Sequence, residues 1–307
     1  MSSHGGNKAI IAALSANLGI AVTKFVAYLL THSSSMLAES IHSVADSGNQ
    51  VLLLIGGKRS RRAADEEHPF GYGRARYLYA FVVSIVLFSL GGLFALYEAW
   101  HKWADPHGIE GRWWWVPLAV LVVAIGMEGY SFRTAIHEAN PQRGGQSWTR
   151  FIKSSKAPEL PVVLLEDFGA LIGLVLALGG VGMTLVTGNG RWDAAGTAAI
   201  GVLLVAIAVI LAVETKSLLL GESATPGDVA KIRAALVGPG VEQVIHLKTM
   251  HLGPEELLVG AKIAVHGTDS ARQVAQAIDA AEQRVRAAVP IARVIYLEPD
   301  IRDVANR

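Results

Sequence analysis

The sequence predicts an α-helical membrane protein: six transmembrane helices followed by a small cytoplasmic α+β domain ordered α-β-β-α-β. Three observations predict it. Apolar residues are bunched into long runs, Lys and Arg gather in two of the connecting loops, and the composition turns soluble after Gly221. The resulting division is a membrane domain over 1–220 and a cytoplasmic domain over 221–307.

Of the 307 residues, 51% are hydrophobic and only 17% charged. A soluble chain would scatter its apolar residues by helical or strand periodicity, whereas here they are contiguous, which makes lipid the solvent for much of the chain. A formal net charge of +1 without a basic patch gives nucleic acid no footing. The absence of cysteine excludes disulfides, thiolate metal sites and cysteine nucleophiles. A metal held here must use nitrogen and oxygen ligands, which suits zinc, manganese, iron(II), cobalt or nickel better than copper(I).

A bilayer core requires about 20 mainly apolar residues per helix. Six segments qualify: Ala9–Leu30, Met36–Gly57, Tyr77–Trp100, Trp113–Ile136, Pro161–Thr187 and Ala194–Leu220. The first is too long for a signal-peptide core and no cleavage site follows it, so it reads as a membrane helix; nor is there a transit peptide.

The loop between spans two and three carries Lys58, Arg59, Arg61, Arg62, Arg74 and Arg76, and that between four and five carries Arg143, Arg150, Lys153 and Lys156. The other connections hold few basic residues: none in Thr31–Ser35, Lys102 and Arg112 in the third, Arg191 in the fifth. This bias places the two basic loops and both termini in the cytoplasm. Trp100, Trp103 and Trp113–Trp115 stand where interfacial anchors belong. Compact loops and the lack of a targeting signal point to a bacterial inner membrane.

In the tail, Thr225 is placed as the N-cap of a helix with Pro226 at its first position. Val241–Met250 and Leu257–His266 read as strands, the second alternating Leu257, Val259, Ala261, Ile263 and Val265 on one face. Asp269–Ala288 has a helical apolar stripe, and Ile291–Leu297 is the last strand. His251 and His266 are expected at the surface.

The chemistry lies in span two, where Glu39, His42 and Asp46 fall three and four residues apart and so project from one helical face. A carboxylate in mid-membrane costs about 2.5–3.5 kcal/mol by insertion scales, so two acids and an imidazole on one stripe need a compensating ion, partner or water cavity. A divalent cation satisfies both acids at once. Span five supplies Glu166 and Asp167; adjacent residues point about 100° apart, so one acid faces a given site squarely. Asp167 is the favoured ligand, with Glu166 a supporting group or proton carrier. His42, Asp46 and Asp167 with an exchangeable water form a labile coordination suited to release. The same polar residues could instead hydrogen-bond neighbouring helices. Lys24 and Glu128 read as a structural ion pair, cavity liners or relay members, and Glu214 as an interfacial acid.

With these motifs assembled, the sequence resembles the cation diffusion facilitator family over nearly its whole length. The resemblance rests on six spans with cytoplasmic ends, Asn17 in span one, His42-x-x-x-Asp46, Asp167, the loop His68-Pro69-Phe70-Gly71-Tyr72-Gly73-Arg74 and the metallochaperone-like tail. It runs most strongly to the branch of the mitochondrial zinc transporter, through His42-Ser43-x-x-Asp46-x-x-Asn49-Gln50, Val163-Leu164-Leu165-Glu166-Asp167, and the linker bearing Phe151, Ser154 and Pro158.

The resemblance implies transport of a divalent cation, zinc foremost, exchanged for protons by alternating access, without a cofactor and without enzymatic activity. It also implies a homodimer joined through the transmembrane and C-terminal domains. The family's fourth ligand falls at Val163 here, leaving Glu39, Glu166, Asn17, Asn49 and water as substitutes. Accessory sites are reduced to Asp65 with His68, where Tyr72 replaces a second histidine, and to His246 with Glu298, where Lys262 and Tyr296 occupy positions at which histidines are common. The tail is expected to dimerise without a binuclear centre. Other readings of the acids are a non-metal cation–proton exchanger, a metal-binding regulatory membrane protein with weak transport, or a membrane-embedded hydrolase. The last lacks any nucleophile elbow or His-Glu-x-x-His element.

Overall fold

The computed structural model describes residues 4–31, 34–106 and 114–301. Arg112 and Trp113 of the sequence reading lie outside them. The chain divides into two compact units, 1–58 with 76–216, and 59–75 with 217–307.

Up to Leu220, the described residues form helices α1 (His4–Thr31), α2 (Ser34–Arg59), α3 (Ala75–Val86), α4 (Phe94–Ala104), α5 (Val116–Arg143), α6 (Trp148–Ser154), α7 (Glu159–Thr187) and α8 (Arg191–Leu220). A π-helical segment, Leu87–Leu93, joins α3 to α4, so Ala75–Ala104 is one rod with a widened turn inside it. Among the described residues, four helical rods are long and apolar enough to cross a bilayer: Ala75–Ala104, Val116–Arg143, Glu159–Thr187 and Arg191–Leu220. For the expected first span, the described residues show a shorter apolar helical stretch, Asn17–Leu30. The polar stripe of α2 lowers its mean hydropathy.

The two polar helices are amphipathic in the inverted sense. On α1, Asn17, Lys24 and Ala27 are buried while Leu18, Val22, Phe25, Val26 and Leu29 are exposed. On α2, Glu39, His42, Asp46, Asn49 and Gln50 are buried while Val44, Val51 and Ile55 face out. Water would favour the opposite arrangement; only an apolar solvent outside makes this one favourable. The apolar core between the helices gathers Met36, Leu53, Val83, Leu87, Leu121, Leu174, Leu204 and Leu211. Trp100, Trp103, Trp114 and Trp115 are exposed, as interfacial anchors are.

Short helix α6 arises because the Ser147 side chain caps it, accepting from the Arg150 N–H. Its Phe151 is buried among Ala135, Ala139 and Leu164, which ties this linker to α5 and α7.

The second unit has α9 (Pro226–Leu236), β1 (Gln243–Gly253), β2 (Glu256–Val265), α10 (Ala271–Ala288) and β3 (Ala292–Ile301), the expected α-β-β-α-β order. The sheet runs β1-β2-β3, with β1 antiparallel and β3 parallel to β2. Thr225 caps α9 by accepting from the Asp228 N–H. Ser270 and Gln273 form a reciprocal capping box on α10. Leu257, Val259, Ala261, Ile263 and Val265 are all buried, as their alternation predicts, and pack with Ile232, Leu236, Ala281 and Val285.

The surface expectation for His251 is corrected. It is buried, with Nδ1 3.2 Å from the Gly253 carbonyl. Register shifts in β1 between Val244 and His246 and between His251 and Gly253 re-aim its side chains. Loop 59–75 also packs here: a Cβ on Gly73 would stand 2.7 Å from the Leu252 carbonyl oxygen, so only glycine permits the approach. His266 is exposed as expected and pairs with Glu242 at 2.6 Å.

Candidate metal centre

The candidate site is built on α2, whose 3.6-residue repeat sets Glu39, His42, Asp46, Asn49 and Gln50 along a buried strip. His42 Nε2 stands 3.4 Å from Asp46 Oδ2, an ion-pair separation without hydrogen-bond geometry. His42 Nδ1 and Nε2, Glu39 Oε1, Asp46 Oδ1, Asn49 Oδ1 and Gln50 Oε1 are buried without a hydrogen-bond partner. Buried polar atoms are ordinarily satisfied, and a row of orphaned acceptors beside an imidazole matches the donor set a cation would take up.

Three of the acids are held through one oxygen by a protein partner. Glu39 Oε2 accepts from Lys24 Nζ at 2.9 Å, joining α1 to α2. Glu166 Oε1 accepts from Asn49 Nδ2 at 2.7 Å, joining α2 to α7. Asp167 Oδ2 accepts from Ser131 Oγ at 3.0 Å, joining α7 to α5. Asn17 and Glu128 are buried on α1 and α5. Among the described residues, no three His, Asp or Glu side chains converge closely enough to hold a metal ion. The structure therefore brings His42 and Asp46 together and keeps Asp167, Glu166 and Glu39 on other partners. Gly91, in the π-helical segment, approaches the imidazole: its Cβ position is 3.7 Å from His42 Nδ1. Sequence reasoning missed this segment, although such widened turns often adjoin functional sites.

The accessory positions are engaged differently. Asp65 Oδ1 accepts from the His68 backbone N–H at 2.8 Å, and Oδ2 accepts from Tyr72 Oη at 2.7 Å and Arg62 Nη2 at 3.0 Å. The Tyr72 hydroxyl, followed by the His68 N–H, holds the Asp65 carboxyl below its ordinary value, and the same bond raises the Tyr72 phenol. His68 packs on Tyr72 with ring centres 4.4 Å apart. The acid thus serves as a loop staple. On the sheet, His246 and Glu298 flank Lys262 on the intervening strand. Lys262 Nζ lies 3.0 Å from Asp300 and 3.3 Å from Glu298, and the two acids, Asp300 foremost, raise its pKa. An ammonium occupies the carboxylates that the expected accessory site required.

Apolar helices that hide acids and an imidazole and turn valine and leucine outward define an integral, multi-pass membrane protein. The chain belongs to the cation efflux, or cation diffusion facilitator, family, a family of transporters rather than enzymes: the cation efflux transmembrane domain matches residues 10–220. It is 29% identical over 266 residues to the human proton-coupled zinc antiporter SLC30A9, mitochondrial, covering 86% of this chain and 46% of that protein. Metal tolerance protein C4 of Arabidopsis thaliana is 28% identical over 270 residues, covering 85% and 57%. Magnetosome protein MamM of Paramagnetospirillum magneticum is 30% identical over 135 residues, covering 42% and 41%. The chain spans about half the length of the curated relatives it matches.

Proposed function

We propose that this chain moves a divalent metal cation, zinc foremost, across a membrane in exchange for protons. The observation that carries the reading is the buried strip of α2, where His42 and Asp46 present orphaned acceptors inside a bundle with an apolar exterior. Similarity to a protein named as a proton-coupled zinc antiporter supports the choice of zinc and protons. His42, Asp46 and Asp167 are the proposed ligands, with Glu166, Glu39 and Asn17 as supporting groups and the cation as cargo.

Zinc takes nitrogen and oxygen ligands only when they are deprotonated, so cation and proton occupancy exclude one another. The imidazole, with an ordinary pKa of about 6.5, is the natural carrier. Cation entering from the cytoplasmic side displaces a proton from His42 and draws Asp167 from Ser131; outward rocking then lets protons from the far side compete the cation off.

In this reading α1 and α2 join the four apolar rods as six spans. Residues 1–220 form the membrane domain, and 221–307 lie in the cytoplasm with both termini. Compact loops favour a bacterial inner membrane as the location, and two copies pair through both domains. Zinc uptake into proteoliposomes under a pH gradient, compared with manganese, iron, cobalt and nickel, tests the reading. Asp46→Ala and Asp167→Ala are each expected to abolish zinc-driven proton counterflow; normal flux in both variants would remove the site.

A further inference from the structure

Lys24 is a cation buried inside the bundle next to a proposed cation site, and the transport scheme gives it no task. Its Nζ donates to Glu39 Oε2 at 2.9 Å and to Ser43 Oγ at 2.9 Å. Both members of the ion pair are 1% exposed. Glu39 precedes His42 by one turn and Ser43 follows it directly, so the ammonium clasps α2 on either side of the imidazole. The other carboxylate oxygen, Oε1, is unpartnered and lies 3.3 Å from the Cβ position of Gly173 on α7. Glu39 is thus wedged between Lys24 and a notch that glycine leaves open.

Stability does not explain such a pair, since exchanging a buried ion pair for well-packed apolar residues is often neutral or stabilising. Electrostatics does. A carboxylate one turn from His42 and two turns from Asp46 would add a third anionic ligand and deepen the well for a divalent ion. A fixed ammonium removes that ligand and opposes a nearby cation through a low-dielectric interior. A transport site must bind its cargo and also let it go.

We propose that Lys24 is a positioning residue that withholds Glu39 from the cargo and so sets the affinity of the site to a releasable value. The proposal rests on the reading that His42, Asp46 and Asp167 hold the cation.

The test is zinc uptake by the full-length chain in proteoliposomes, with KM and kcat read separately. Lys24→Met is expected to lower both KM and kcat by about fivefold or more, because the freed Glu39 tightens binding and slows release. Lys24→Met combined with Glu39→Gln is expected to return KM to within about threefold of the wild type. Lys24→Arg, which keeps the charge, holds KM near the wild-type value. A double variant with KM raised about tenfold or more would make Glu39 a ligand and overturn the proposal, as would an unchanged KM in Lys24→Met. If Lys24→Met does not fold, Lys24→Gln, which keeps a donor toward Ser43 without the charge, takes its place and is read by the same criteria. Asp46→Asn, run alongside, separates the two layers. Normal uptake by Asp46→Asn overturns the site and the proposal together. Loss of uptake there with unchanged KM in Lys24→Met overturns the role of Lys24 alone.

Discussion

Asn49 Nδ2 donates to Glu166 Oε1 at 2.7 Å, binding the polar strip of α2 to the acidic pair of α7. Both residues are buried, so this donor satisfies an acid that the surrounding helices would otherwise leave stranded. Asn49→Leu is expected to destabilise the bundle by about 1–3 kcal/mol, the cost of leaving a buried acceptor without its donor. Thermal unfolding in detergent reads the loss. Asn49→Leu with Glu166→Leu should recover most of it, because removing both partners strands neither.

A buried pair at the other end of the helices gives a similar cycle. Lys102 Nζ lies 2.9 Å from Asp193 Oδ2, with the aspartate side chain 0% exposed. Lys102→Met takes away one member of a buried ion pair and is expected to cost about 3–5 kcal/mol in the same unfolding measurement. Lys102→Met with Asp193→Leu should be less harmful than Lys102→Met alone. A double variant as unstable as the single one would show that the pair contributes through packing instead of charge.

Much of this arrangement was legible in the residues, and the exceptions share a cause. The stripe of Glu39, His42 and Asp46 was readable because helical spacing alone sets it. The alternation from Leu257 to Val265 was readable for the same local reason. The partners of the acids were not: whether Glu39 meets a metal or Lys24 depends on how α1 is rotated against α2, a tertiary fact. The π-helical turn at Leu87–Leu93 escaped because an apolar run with Gly91 and Gly92 reads alike for either helix type. His251 escaped because a bulge changes which way a strand residue points without leaving a mark in the hydrophobic pattern.

The loop staple predicts a pH dependence outside the membrane helices. Asp65 has a lowered pKa when the loop is formed, so its contribution is full above the ordinary carboxylate value of about 3.9 and is lost as pH falls through the lowered one. Tyr72 has a raised pKa, so its contribution is full below about 10 and is lost as pH rises through the raised one. The loop should stay docked between those limits. Tyr72→Phe removes the largest cause of the Asp65 shift and should move the acid limit upward. Hydrogen exchange at the His68 amide, corrected for its intrinsic pH dependence, checks this because that N–H donates to Asp65. An acid limit unmoved in Tyr72→Phe would assign the staple to Arg62 and the His68 amide alone.

Gly173 of α7 faces the polar strip at Glu39 and gives the last prediction. A Cβ at Gly173 would stand 3.3 Å from Glu39 Oε1 and 3.7 Å from Ile200 Cγ2, tighter than comfortable against the acid and ordinary against the isoleucine. Alanine there should therefore fold, since a flexible carboxylate gives way more readily than a packed backbone. Yet the yielding group is the one that Lys24 clasps one turn from His42. Gly173→Ala is expected to change unfolding by less than about 1 kcal/mol while shifting the KM for zinc by about threefold or more, since a small displacement of a buried charge acts strongly in a low dielectric. Uptake kinetics and detergent melting on the same preparation separate the two effects. A large loss of stability with unchanged KM would mean that the notch at Gly173 serves helix packing and not the position of Glu39.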